Sequence, residues 1–134
     1  MANDVLSGAG VHHIALMSSD FEASLAFYKG LGMKETLRWG SPERRIAMLD
    51  IGNGSHIELF SNGGDEYCEC GKYAHLALSV DDVDAAYERA LSLGAKPLTP
   101  PKSVPLDSVP TKTTIRIAFV HGPSGEQLEF FKML

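Results

Sequence analysis

Four side chains of two types stand at matched places in this 134-residue chain: His13 and Glu58 in the first half, His75 and Glu129 in the second. An imidazole nitrogen and a carboxylate oxygen together form the mixed donor set that suits Ni, Co, Zn, Fe or Mn better than Ca or Mg. A carboxylate can also take a proton. A single strand histidine is usually a satisfied structural residue, and a single glutamate between apolar neighbours usually faces solvent on a half-exposed sheet. Here both residue types recur at both matched positions while the residues around them have diverged, which drift after a duplication would not be expected to leave. The four are therefore read as one set of ligands for a divalent ion.

The matching rests on an internal repeat. Residues 13–34 overlay 75–96 without a gap at an offset of 62, and eight of the 22 pairs are identical, more than two unrelated amphipathic segments would share. Further on, Arg45-Ile46-Ala47 matches Arg116-Ile117-Ala118, and the segment 54–60 matches 125–131, both at an offset of 71. The nine-residue difference falls in the Pro-rich stretch 97–110, predicted to be a longer loop of the kind that often forms a lid or pocket rim.

Each copy spells the same elements. An alternating strand (11–17 or 73–80) leads into a helix, with Ser19 and Glu22 at capping-box spacing and Asp81 and Asp84 in the equivalent places. Phe21, Leu25 and Tyr28 form one apolar stripe, as do Val83, Tyr87 and Ala90, and Gly32 and Gly94 supply the left-handed stop. Strands are then expected at 34–39, 45–51 and 56–60, and at 115–120 and 127–131, with 96–98 weakened as a strand by Pro97 and Pro100. The order is βαβββ, twice. Strand alternation sets Glu129 with Gln127 and Phe131, against Leu128 and Phe130 on the helix side; Glu58 opposes Ile57 and Leu59, and His13 opposes Ile14 and Leu16. The carboxylates thus face a cleft. His12 points the other way and reads as structural, His121 reads as a solvated turn residue, and His56 shares Glu58's face as a pocket-lining residue.

Composition narrows the partners. A formal net charge of −5, from 17 acidic against 12 basic residues, gives no footprint for nucleic acid and no polybasic membrane anchor. No stretch is apolar for long enough to span a bilayer, and nothing at the N-terminus reads as a secretory signal. With 44% hydrophobic residues the length supports one well-buried core, so the expectation is a flexible segment 1–10 followed by one domain, 11–134, made of modules 11–62 and 73–134. Cys68 and Cys70, one residue apart, have poor geometry for a mutual disulfide and read as incidental free thiols of a cytoplasmic protein.

The motifs His13-Ile14-Ala15-Leu16, Phe27 to Met33, Ile57-Glu58-Leu59, His75 to Asp81 and Gly122 to Glu129 together resemble those of the glyoxalase/vicinal-oxygen-chelate superfamily, over residues 11–131. The resemblance implies an α+β fold of paired βαβββ modules, the glyoxalase/bleomycin resistance/dihydroxybiphenyl dioxygenase-like fold. It implies one divalent ion per site (Ni, Co or Zn, with Fe or Mn as alternatives) on His13, Glu58, His75 and Glu129. The His/Glu/His/Glu set is most similar to glyoxalase I, which isomerises the hemithioacetal of a 2-oxoaldehyde and a thiol through an enediolate. Methylmalonyl-CoA epimerase, a metal-dependent dioxygenase and a non-catalytic ligand-binding protein remain alternative readings.

Glu129 is the expected base and Glu58 its pseudo-symmetric partner. Ile46, Met48, Ile117 and Phe119 resemble cleft-lining positions, with core packing as the alternative for each. Glutathione-using members carry Arg four residues after the first ligand, where this chain has Met17, and a second Arg where it has Gly71; Asn62 matches a glutathione-contacting Asn. Arg44 and Lys112 are the cations available to a pocket rim. The resemblance further implies a homodimer in which modules of two subunits combine, acting on a small molecule and not on nucleic acid or membrane.

Overall fold

The repeat is present as two βαβββ modules in the computed structural model, which describes residues 2–67, 69, 71–123 and 125–134. Cys68 and Cys70 lie outside the described residues. The first module runs β1 (Gly10–Met17), α1 (Phe21–Gly30), β2 (Lys34–Ser41), β3 (Arg44–Asp50) and β4 (His56–Phe60). The second runs β5 (Tyr73–Ser79), α2 (Val83–Ser92), β6 (Lys96–Leu106), β7 (Thr113–His121) and β8 (Gln127–Met133). The chain forms two compact units. The first consists of His13–Ala74 with Asp107–Lys112, and the second of His75–Leu106 and Thr113–Leu134 with the N-terminal residues up to His12.

In the first unit the strand order is β2-β3-β4-β1, antiparallel except for the parallel pair β1·β4. In the second it is β6-β7-β8-β5, with β5·β8 parallel. A parallel pair needs a long crossover, and in each module the crossover from first strand to last passes through the helix. Each helix covers one sheet face. Phe21 and Leu25 of α1 pack with Ala47, Leu49 and Leu59; Val83, Ala86 and Tyr87 of α2 pack with Ala118, Val120 and Phe130.

The helices begin one residue later than the capping-box spacing predicts. The caps are Asp20 and Asp82, whose Oδ1 atoms accept from the Ala23 and Ala85 N–H groups at 3.0 Å. A carboxylate there satisfies an orphan donor and meets the positive end of the helix dipole. The acids of the expected boxes are thereby released outward, where each pairs with an arginine of the sheet: Glu22 with Arg45 (2.6 Å) and Asp84 with Arg116 (2.8 Å). These pairs occupy equivalent places in the repeat. At the far ends Gly32 (φ 93°) and Gly94 (φ 96°) take the left-handed conformation expected of them.

The stretch expected to be a long loop is mostly strand. β6 runs eleven residues through Pro97, Pro100, Pro101 and Pro105, with register shifts at Pro97/Thr99 and Thr99/Lys102. Proline is tolerated there because β6 ends the strand order of its unit and the bulges absorb the missing donors. Only Asp107–Lys112 remains as connection, and it belongs to the first unit: Val109 exchanges two backbone hydrogen bonds with Arg38 of β2, at 2.8 and 2.9 Å. The Val109–Pro110 peptide is cis.

Candidate metal centre

Each module builds one histidine–glutamate contact, and both are built in the same way. In the first unit β1 and β4 run parallel with Ala15 opposite Glu58, so His13, two residues back on the same face, reaches the carboxylate: Nε2 lies 3.4 Å from Oε1. In the second, β5 and β8 run parallel with Ala77 opposite Glu129, and His75 Nε2 lies 2.9 Å from Oε2. Ala15 and Ala77 are both fully buried. A methyl group beside the carboxylate leaves room for the imidazole; a larger side chain there would fill it. The third neighbour of each Glu is a large apolar residue, Met48 opposite Glu58 and Phe119 opposite Glu129. Phe119 also meets the His75 ring edge to face, with centroids 5.1 Å apart.

Burial makes these contacts consequential. His13 is 0% exposed, Glu58 8% and Glu129 4%. A buried carboxylate is costly unless it is paired, hydrogen-bonded or bound to a metal. Nitrogen and oxygen donors brought together in this way can hold a divalent metal ion by the chemistry of the donor set.

The remaining predicted residues fall at several places. In the first unit, Ile46 and Met48 are buried on the face of β3 opposite α1. Met17 packs with Ala15, Ile46, Phe60 and Trp39 at the end of β1, and its N–H donates to the Lys72 carbonyl at 2.8 Å. His56 is half-buried, with Nε2 4.0 Å from Asp50 Oδ2, and stands opposite both His13 and Asp50. Asn62 is exposed in the segment after β4. Arg44 lays its guanidinium 4.7 Å from the centroid of the Phe60 ring. Lys112 is exposed and pairs with Asp107 at 3.0 Å. In the second unit, Ile117 and Phe119 pack with Ala77, Ile115 and Phe131 on the face opposite α2. His121 ends β7 rather than lying free in a turn, its Nδ1 3.1 Å from the Gly125 carbonyl oxygen, and the His12 ring lies 4.1 Å from that of Phe131.

Residues 10–130 match the family model described as the Glyoxalase/Bleomycin resistance protein/Dioxygenase superfamily. The chain belongs to this superfamily. Among the relatives of this superfamily member is a lactoylglutathione lyase of Neisseria meningitidis, 35% identical over 129 residues that cover 90% of this chain and 88% of the relative. The fold of this chain is similar to that of a methylmalonyl-CoA epimerase (TM-score 0.68, 19% identity, 96% and 97% of the two chains). It is also similar to that of a catechol dioxygenase (TM-score 0.64, 17% identity), over 93% of this chain and 41% of the other. These two likenesses extend to the fold alone. Among the described residues, no helix is long and apolar enough to cross a membrane.

Proposed function

We propose that this superfamily member is a metal-dependent isomerase of the glyoxalase I type, acting as a cytoplasmic homodimer on the hemithioacetal of a 2-oxoaldehyde and a thiol. The observation that carries the reading is the His–Glu contact built twice at the same register, in a chain 35% identical to a lactoylglutathione lyase. His13, Glu58, His75 and Glu129 would together hold one divalent ion. When bound, the ion supplies Lewis-acid stabilisation of the negative charge that develops on the substrate oxygens.

The chain's own residues supply the proton transfer. A hydrogen on carbon next to a carbonyl is weakly acidic, so its removal needs a base within about 3 Å. Glu129 takes that proton and returns it to the neighbouring carbon, converting the hemithioacetal into a thioester through an enediolate. His75 fixes the carboxylate from one side. Phe119 packs against His75 and, with Ile117, keeps the surroundings apolar, which limits exchange of the carried proton with water. Glu58, with Ile46 and Met48, has the counterpart role in the first unit.

Metal analysis of protein purified without chelator, followed by an isomerase assay with methylglyoxal and several thiols, tests the proposal. A stoichiometric divalent ion and thiol-dependent thioester formation are expected. Metal-loaded protein that consumes oxygen with a catechol instead would replace the isomerase by a dioxygenase. The donors of one site are proposed to come from two subunits, and light scattering that showed a monomer binding a full equivalent of metal would remove that arrangement.

A further inference from the structure

The chain has three asparagines, and two of them, Asn53 and Asn62, precede a glycine. Such a pair is where a chain most easily attacks itself: the backbone nitrogen that follows the asparagine reaches the side-chain amide carbon, and glycine has no Cβ to obstruct it. That nitrogen must first be freed, since its lone pair is delocalised into the peptide and its N–H is ordinarily engaged as a donor. By sequence the two pairs are equivalent. The structure of the first unit separates them.

Asn62–Gly63 is held. The Gly63 N–H donates to the Ser18 carbonyl oxygen at 2.9 Å, and the backbone lies so close that a Cβ on Gly63 would stand 2.5 Å from that oxygen. Attack by this nitrogen requires the segment to come away from Ser18. Asn53–Gly54 stands under opposite conditions, in the exposed turn between β3 and β4. Among the described residues the Gly54 N–H has no hydrogen-bond partner, the glycine takes φ 88°, and a Cβ placed on it would meet nothing within 4 Å. The amide facing attack is already polarised. Asn53 Oδ1 accepts from both the N–H and the hydroxyl of Ser55, at 3.1 and 2.5 Å, which curls the side chain back over the Gly54 peptide. Two donors on that oxygen stabilise the negative charge it gains when the amide carbon becomes tetrahedral.

We propose that Asn53 is a site of spontaneous covalent modification in the folded protein, deamidating through a cyclic imide while Asn62 is protected. Hydroxide from the solvent removes the Gly54 amide proton, and the nitrogen forms a bond to Asn53 Cγ. The Cγ–Nδ2 bond breaks, and Nδ2 takes up a proton and leaves as ammonia. Water then opens the five-membered ring. Attack at Cγ gives aspartate; attack at the main-chain carbonyl carbon of residue 53 gives isoaspartate, in which the main chain runs through the former side chain. Either product brings a carboxylate, and isoaspartate an additional main-chain carbon, into the turn that sets the register of β4, the strand of Glu58. The second copy has Ser124 at the matching sequence position, so the change marks one half of the repeat.

The test uses the full-length protein kept at mildly alkaline pH, either folded or in urea. Cleavage after Glu43, Glu58 and Glu66 places Asn53 and Asn62 on separate peptides, whose gain in mass and enzymatic methylation at isoaspartate report the reaction. In the folded protein Asn53 should react at least ~10-fold faster than Asn62, whose nitrogen is released only by local opening. In urea, where neither nitrogen is held, the two rates should agree within about threefold. Ser55→Ala, which removes the hydroxyl donor and keeps the backbone one, should slow the folded reaction roughly fivefold, the value of one hydrogen bond, and leave the rate in urea unchanged. Equal rates at the two sites in folded protein, a faster Asn62, or a folded protein that stays unmodified while the urea sample reacts would overturn the proposal. An unchanged folded rate in Ser55→Ala would overturn the part assigned to Ser55.

Discussion

The two modules agree where they position donors and differ where they present the rest of the face. Both have an aspartate helix cap, an acid–arginine pair from helix to sheet, a buried alanine opposite the glutamate and a histidine two residues behind it. They part at Phe60 and Phe131: one is covered by the Arg44 guanidinium, the other by Ile115 and the His12 ring. They part again in the second strand, eight residues in β2 and eleven in β6. The shared features fix distances between one strand and the next. The divergent ones decide what else can lie along each unit's sheet, so a duplicated scaffold can keep its donor pairs while the rest of each face changes.

That contrast can be strained from the core outward. Phe130→Ala should lower stability by about 3–5 kcal/mol and Leu59→Ala by about 2–5 kcal/mol in urea unfolding, since both side chains are buried against their helices. Equal treatment of the two halves ends at the carboxylates. Glu129→Gln should slow isomerisation by at least ~10²-fold in metal-loaded protein, as expected for loss of a general base, with a smaller loss for Glu58→Gln. A fully active, metal-loaded Glu129→Gln protein would transfer the base role to Glu58. The caps should restore symmetry: Asp20→Ala and Asp82→Ala are each expected to cost about 1 kcal/mol, and a clear inequality would show that the two helix starts are not equivalent.

The smallest effect belongs to Glu35, at a bulge of β2. Burial alone would raise its pKa, but hydrogen bonds and charge from Arg38 and Lys29 outweigh burial and hold it below the ordinary carboxylate value. A depressed folded-state pKa contributes stability above the unfolded pKa that is lost as pH falls through the folded one. Glu35→Gln should therefore cost up to ~1 kcal/mol near neutrality, as for partly exposed pairs, and the gap to wild type should close in acid. A gap independent of pH would mean that the side chain packs rather than pairs.

Much of this architecture was legible because the chain repeats itself. The alternation around His13, Glu58, His75 and Glu129 gave faces, the offsets of 62 and 71 gave equivalence, and β4 falls at the residues expected of it. Three features were not legible from local pattern. Ser19 and Asp20 are both good caps, and the choice between them depends on whether Glu22 turns inward to its own helix or outward to Arg45, a partner 23 residues away. Likewise the prolines of β6 argued against a strand, because nothing nearby in sequence shows that it lies at the end of its sheet with bulges to spare the missing N–H groups. The stacking of Arg44 on Phe60 was hidden for the same reason, although Ile115 at the matching place marks the position as unusual once the copies are aligned.

The pairing of Val109 with Arg38 has a consequence for life in solution at high concentration. An outermost strand with free backbone groups is a template for cross-β growth, and natural sheets blunt such strands with proline, charge or a covering loop. Along β2 all three coincide: the segment carrying Val109 takes up the Arg38 N–H and carbonyl, Pro110 next to it has no donor to pass on, and Glu35, Arg38 and Lys29 hold charge beside them. Part of the extra length in the second copy's hairpin thus acts as a gatekeeper for the first, and its deletion should appear as aggregation before any loss of chemistry.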